Sequence, residues 1–169
     1  MNSSDDIYAV RRMALEDVEQ VHRLDVLSFS LPWPERSFRY ELTENPSSRM
    51  WVIENLSGEA DQRVIGMLGL WLIVDEAHIG TLAVHPDFRR GGIAQKLLIT
   101  SLLAACQEGA GRAYLEVRRG NLAAKALYSK FGFKITGIRP RYYSDTGEDA
   151  MMMTLDPMRA KDLEKFIER

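Results

Sequence analysis

The sequence holds one cysteine, Cys106, among 169 residues. A single thiol excludes an intramolecular disulfide and any zinc centre built on several cysteines, and the scarcity fits a reducing compartment. The three histidines, His22, His78 and His85, fall at none of the spacings of helical metal-ligand pairs, and no H-E-x-x-H occurs, so no metal is expected. Positive charge is not in excess. Lys and Arg number 22 against 24 Asp and Glu, a formal net charge of -2, which removes any general pull toward nucleic acid. Arg118-Arg119, Arg139 and Arg141 are a weak local exception. Apolar runs break at charges well before membrane-spanning length, so no membrane partner is expected. Met1 to Asp6 is polar and acidic and has neither the basic start nor the apolar stretch of a secretory signal. These absences predict a cytoplasmic single domain over 1–169, monomeric or weakly dimeric, whose helical tail over 156–169 mixes both signs of charge.

What is present is enough apolar sequence, 46% of residues, for one sizeable core. Ile7 to Met13 predicts a strand. Leu15 to Phe29 carries Leu15, Val18, Val21, Asp25 and Phe29 at helical spacing, with acids early, where they suit the positive helix end. Leu31-Pro32-Trp33-Pro34 interrupts, and Pro34 fits the first turn of a second helix, Glu35 to Glu44. Three strands follow, Met50 to Glu54, Arg63 to Val74 and His78 to His85, the last two joined by a tight turn at Asp75-Glu76. Ile93 to Gln107 is the strongest helix, with Leu97, Leu98, Leu102 and Leu103 inside it and Gly109 and Gly111 beyond. Ala113 to Arg118 predicts a strand, Asn121 to Phe131 a helix capped by Asn121, and Phe133 to Ile138 and Asp149 to Leu155 the final strands. That order makes an α/β (α+β) domain with one mixed sheet.

One loop carries a chemical signal. After the strand ending at His85 the chain reads Pro86-Asp87-Phe88-Arg89-Arg90-Gly91-Gly92-Ile93-Ala94-Gln95 and enters the strong helix. Glycines let a backbone approach a ligand closely, and a helix start offers N–H donors and partial positive charge, with Arg89 and Arg90 beside it. Such a site suits a pyrophosphate. Neither G-x-x-x-x-G-K-[ST] nor G-x-G-x-x-G after a first strand occurs. From this loop alone, an ordinary glycine turn with surface arginines is an equal reading.

Downstream, alternation along Ala113 to Arg118 sends Tyr114, Glu116 and Arg118 to one sheet face and Leu115 and Val117 to the other. Glu116 suits a general base whose pKa partial burial would raise, although an outward polar residue on a half-solvated sheet is the commoner meaning. Tyr128 reads as a rim aromatic or as a phenol that protonates a leaving thiolate. Cys106 on its apolar helix is a packing residue, the eight methionines fill the core, and no G-x-S-x-G elbow offers serine chemistry.

Together these pieces resemble the GNAT superfamily of acetyl-CoA-dependent N-acetyltransferases, from Ile7 to about Leu155. Arg89-x-x-Gly92-x-Ala94 is similar to the family's [Q/R]-x-x-G-x-[G/A] pyrophosphate loop, and Leu82-Ala83-Val84-His85-Pro86 to its strand along the pantetheine arm. Leu115-Glu116-Val117-Arg118, Asn121-x-x-Ala124, Ala126-Leu127-Tyr128, Phe131-Gly132-Phe133, Arg141-Tyr142-Tyr143 with Gly147-Glu148-Asp149-Ala150, and Pro32-Trp33-Pro34-Glu35 resemble the bacterial ribosomal-protein-alanine N-acetyltransferases. The resemblance implies about seven strands splayed in the middle of the sheet and about four helices. It implies acetyl-CoA as co-substrate, held by Leu82, Ala83, Val84, Arg89, Arg90, Gly91, Gly92, Ile93, Ala94, Gln95 and Asn121. Glu116 is then the base, Tyr128 the acid, and Leu31, Trp33, Tyr142 and Tyr143 frame the acceptor. The acceptor implied is a protein N-terminus, the alanine start of ribosomal protein S18. In that setting the arginines after Val117 would serve docking on the ribosome. A small amine or polyamine acceptor, or a non-catalytic acetyl-CoA-binding module, are the alternatives.

Overall fold

The computed structural model describes residues 7–167. The leader-free start read at Met1 to Asp6, and the last two positions of the mixed tail, Glu168 and Arg169, lie outside the described residues. Seven strands form one sheet in the order β1-β2-β3-β4-β5-β7-β6. They are β1 (Tyr8–Arg12), β2 (Ser48–Asn55), β3 (Val64–Ile73), β4 (Glu76–Val84), β5 (Arg112–Arg118), β6 (Lys134–Arg139) and β7 (Ala150–Leu155). Five helices accompany them: α1 (Val18–Ser28), α2 (Glu35–Thr43), α3 (Ile93–Gln107), α4 (Leu122–Lys130) and α5 (Ala160–Glu164). Every predicted element is present. The added helix is α5, five residues inside the tail. No helix among the described residues is long and apolar enough to cross a membrane.

The described residues divide into two compact bodies, one comprising those up to Leu70 with Thr81–Ser101, the other Trp71–Gly80 with those from Leu102 onward. In the first, β1 pairs antiparallel with β2, and Met13, Val18, Val21, Leu24, Phe38, Met50, Val52, Val64, Met67 and Ala83 form the core. Val18, Val21 and Leu24 are the buried stripe of α1, and Leu15 and Phe29, expected on it, stay exposed at its two ends. Gly66 is required by close packing. A Cβ there would stand 2.8 Å from Ile53 Cγ2, 3.0 Å from Leu97 Cδ1 and 3.2 Å from the Ala83 carbonyl.

Two acids of this body have partners that the sequence reading did not name. Asp17 serves the start of the helical segment, as expected of an early acid, and does more. Its carboxylate accepts both Arg11 nitrogens, at 2.7 and 2.8 Å, and the Ala14 N–H at 2.7 Å, while Arg11 also donates to Glu54 at 2.6 Å. Asp25 is 1% exposed and accepts the Trp33 N–H at 2.6 Å, tying the turn after α1 back to the helix. Burial pushes its carboxyl above the ordinary carboxylate range, against the Trp33 N–H and the charge of His22. Pro34 likewise stands one place earlier than expected. It is the N-cap of α2, with φ -60° and ψ 145°, and not part of its first turn.

In the second body β4 runs parallel to β5 across Glu76–Ile79 and Arg112–Leu115, and β7 lies antiparallel between β5 and β6. Ala113, Leu115 and Val117 are buried while Glu116 is exposed, as alternation predicts. Phe131 packs on Phe166 with ring centroids 4.5 Å apart. Gly80 makes room for Trp71, whose ring would lie 2.3 Å from an added Cβ.

Candidate active site

The glycine loop belongs to the first body. Leu82 is half-buried, Ala83 and Val84 are buried at the end of β4, and His85 N–H donates to the Ile65 carbonyl at 2.7 Å. Pro86–Phe88 is a single 3-10 turn, capped by His85 Nδ1, which accepts the Asp87 N–H at 3.2 Å. Phe88 meets the rings of His85 and Tyr8 edge-on, at 5.8 and 6.5 Å, which fixes the loop to β1. Arg89 Nε donates to the Val84 carbonyl at 3.0 Å, so the side chain is folded back on its own strand.

The next residues alternate in backbone sign. Arg90 has φ 64° and Gly92 φ 77°, while Gly91 between them does not share the positive φ. Alternation of this kind turns successive N–H groups toward one concavity, an anion nest. Arg90 holds a conformation that costs an L residue about 1 kcal/mol. Lys96 N–H donates to the Gly92 carbonyl at 3.0 Å, so the helical ladder begins there. N–H groups that open an α-helix have no carbonyl one turn back to bond, and Ile93 and Ala94 stand at that start of α3. Arg89 to Gly92 are exposed, and a Cβ built on Gly92 meets nothing within 4 Å. The loop is thus an open, donor-lined, cation-flanked cradle. Leu31 is 56% exposed, while Trp33 is half-buried against the core, its ring 5.3 Å from Phe38.

The second body gathers the titratable residues. Glu116 stands on the solvent face of β5, its side chain 33% exposed, with Oε1 3.3 Å from Arg139 Nε. The side chain is therefore partly buried, as its sequence reading supposed, with a guanidinium in place of an apolar wall. Tyr128 on α4 is 7% exposed, with its ring 5.7 Å from Phe133. Burial pushes its phenol well above the ordinary value, and Tyr143 adds to the effect. Tyr143 is the link. Burial raises its phenol, the Arg118 guanidinium pulls it down, and Tyr142, Glu116 and Glu148 push it up again. Tyr142 is 51% exposed and stacks edge-on against it, with centroids 5.1 Å apart. Glu116, Tyr128, Tyr142 and Tyr143 are thus brought together around the start of the β6–β7 loop. Asn121 is exposed at the start of α4, with Oδ1 accepting the Ala124 N–H at 3.1 Å. Its acceptor oxygen does the capping its position predicted.

Three of the four arginines singled out in the sequence form ion pairs. Arg118 pairs with Asp145 at 2.8 Å and Glu148 at 3.5 Å, Arg119 with Asp149 at 3.3 Å, and Arg139 with Glu116. The pairing of Arg118 and Arg119 with acids of the β6–β7 loop was not read from the sequence. Opposite charges in two segments that both meet the end of one strand were the available signal. Among the described residues no three side chains gather as metal ligands.

Comparison with known proteins gives the family and agrees with the fold. The acetyltransferase (GNAT) family profile matches residues 18–133. The putative [ribosomal protein bS18]-alanine N-acetyltransferase of Bacillus subtilis (strain 168) is 39% identical over 145 residues, 86% of this chain and 93% of that protein. The [ribosomal protein bS18]-alanine N-acetyltransferase of Salmonella typhimurium is 32% identical over 145 residues, 85% and 93% of the two chains. The crystal structure of the ribosomal-protein-S18-alanine N-acetyltransferase from Escherichia coli superposes with a TM-score of 0.80 at 26% identity, covering 90% of this chain and 96% of that one. With a family profile over most of its length and these relatives across its sheet and helices, the chain belongs to the GNAT acetyltransferase family and is an enzyme.

Proposed function

We propose that this acetyltransferase moves the acetyl group of acetyl-CoA to the N-terminal α-amino group of a protein, and that its acceptor is the alanine N-terminus of ribosomal protein S18. The observation that carries the reading is the gathering of a carboxylate, a buried phenol and a two-tyrosine loop in the second body. The printed activities of the relatives support the acceptor, and the cradle at Arg89 to Gln95 fits the donor's pyrophosphate. The backbone of Leu82 to Val84 lies along the pantetheine arm, and the Asn121 amide nitrogen donates to the same molecule. Acetyl-CoA supplies a thioester already activated for transfer.

The residues then divide the proton work. Glu116 accepts a proton from the acceptor's α-ammonium, whose pKa of about 8 makes this easier than deprotonating a lysine at about 10.4. The free amine forms its bond to the carbonyl carbon, the C–S bond breaks, the Tyr128 hydroxyl gives its proton to the departing sulfur, and the second proton, shed by the acylated nitrogen, returns through solvent to the Tyr128 oxygen. Leu31, Trp33, Tyr142 and Tyr143 seat the extended N-terminus. The test is a panel of Ala-, Ser-, Met- and acid-starting peptides, with the acetylated atom located by mass spectrometry. Acetylation of the α-nitrogen, strongest on the S18 peptide, is expected. Acetylation confined to lysine side chains or polyamines would overturn the reading.

The cradle has its own test. Gly92→Ala places a methyl where the protein itself has room, so fold stability should fall only by the left-handed strain of about 1–2 kcal/mol. Calorimetry should nevertheless show coenzyme A binding about tenfold weaker, a loss of about 1.4 kcal/mol. Unchanged affinity would remove the pyrophosphate from this loop.

A further inference from the structure

Arg118 joins several positions of the second body. Alternation places it on the same face of β5 as Glu116, two residues on. One terminal nitrogen, Nη2, donates to Asp145 Oδ2 at 2.8 Å. The other, Nη1, reaches Thr146 Oγ1 at 3.2 Å and Glu148 Oε1 at 3.5 Å. Its guanidinium carbon lies 4.0 Å above the centre of the Tyr143 ring. One planar cation thus holds three positions of the β6–β7 loop and stacks on a fourth.

Neighbouring residues extend this attachment. Gly120 N–H donates to Glu148 Oε2 at 2.7 Å, and a Cβ at Gly120 would come within 2.9 Å of that oxygen. Arg119 N–H donates to the Asp149 carbonyl at 3.0 Å, while Asp149 Oδ1 accepts the Arg141 N–H at 3.0 Å. Inside the loop, Tyr143 N–H donates to the Glu148 carbonyl at 3.2 Å and Gly147 N–H to the Tyr143 carbonyl at 2.8 Å. The loop is folded on itself and fastened to the end of the strand that carries Glu116. Tyr143 lies within electrostatic reach of Glu116, so the piece that Arg118 fastens is close to the carboxylate assigned as base.

We propose that Arg118 is the positioning residue of acceptor recognition, fastening the β6–β7 loop to β5 and setting Tyr143 in place through its guanidinium fork and stacking. This rests on the reading above that the Tyr142-Tyr143 loop seats the acceptor. Arg118 touches neither substrate, so its removal misplaces a binding wall and leaves the donor site alone. A misplacement of about 1 Å in such a wall can reduce turnover by about 100-fold.

The experiment compares wild type, Arg118→Lys, Arg118→Ala and Asp145→Asn by steady-state kinetics on the S18 N-terminal peptide. Arg118→Ala should raise the peptide KM about tenfold or more with the acetyl-CoA KM within about twofold. Arg118→Lys keeps the charge but not the planar fork, and should fall between. The double variant Arg118→Ala/Asp145→Asn should lose less than the sum of the singles. Equal rises in both KM values, a lysine variant equal to wild type, or no change in peptide KM would each overturn the proposal. A second readout needs no turnover. Trypsin can cut the loop after Arg141, since Arg139 is followed by Pro140, and Arg118→Ala should speed that cut about fivefold or more. If wild type acetylated no N-terminus, the function reading would fail while the digestion still decided the clamp. A faster cut would uphold Arg118 as the loop's anchor, and an unchanged one would overturn it.

Discussion

Glu116→Gln is expected to lower kcat/KM for peptide acetylation by about 100-fold or more while coenzyme A binds within about twofold of wild type. The substitution keeps the shape of the side chain and an oxygen facing Arg139, which lies 3.3 Å away in the native pair. What it removes is the only proton acceptor that β5 offers on that face, since Tyr114 is a phenol and Arg118 a permanent cation. General acid–base catalysis contributes about 10²–10⁴ to such steps, so a loss of tenfold or less would show that Glu116 is a bystander. Tyr128→Phe tests the other proton. Its ring packs beside Phe133, so phenylalanine should preserve the fold while turnover falls by a similar factor.

The two variants acting in one step should not multiply their losses. The pH profile adds a sign. Burial holds the Tyr128 phenol above its ordinary 10.0, so the proton stays on the donor through neutral and mildly alkaline solution. No alkaline decline assignable to Tyr128 should therefore appear by pH 10. A limb near that value in wild type that disappears in Tyr128→Phe would show an ordinary, solvated phenol.

Much of this was legible before any coordinates. The strand Arg112–Arg118 follows strict alternation, α3 begins where its glycines end, and Asn121 caps α4 as its residue type favours. Those features are local, written in period and in the chemistry of one or two residues. What was not legible is what depends on a distant partner. The environment of Glu116 is set by Arg139, 23 positions later. Arg118 looked like a nucleic-acid contact because its acidic partners lie 27 and 30 residues away. Asp17 serves the helix start as read, but the guanidinium that also claims it belongs to the preceding strand and was not foreseen. In each case the sequence shows a charge and only the fold shows its partner.

That last pair yields the largest expected change in stability. The Asp17 side chain is 4% exposed, and apart from the Ala14 N–H its hydrogen bonds come from Arg11. Arg11→Met keeps the aliphatic stem but leaves the carboxylate buried with one donor. Breaking a buried pair from one side costs about 3–5 kcal/mol. Arg11 itself is 36% exposed, so solvent recovers part of this and about 2–3 kcal/mol is expected. In a domain of this size that lowers Tm by about 5–10 °C. Replacing both partners, Arg11→Met with Asp17→Leu, should recover most of the loss, because no charge is then left in the interior. The pH dependence carries the signature. Burial works to raise the Asp17 carboxyl, but the Arg11 and Ala14 hydrogen bonds outweigh it and hold it below its ordinary 3.8. Such a group contributes its stability above 3.8 and loses it as pH falls through the lowered value. In Arg11→Met the unopposed burial reverses the shift, so protonation on acidification relieves the variant while it harms wild type. The stability difference between them should therefore be greatest near neutrality and narrow steadily toward pH 3. Urea melts at several pH values would measure it, and a difference that stayed constant from pH 7 to pH 3 would mean the ion pair is not what holds β1 to the start of α1.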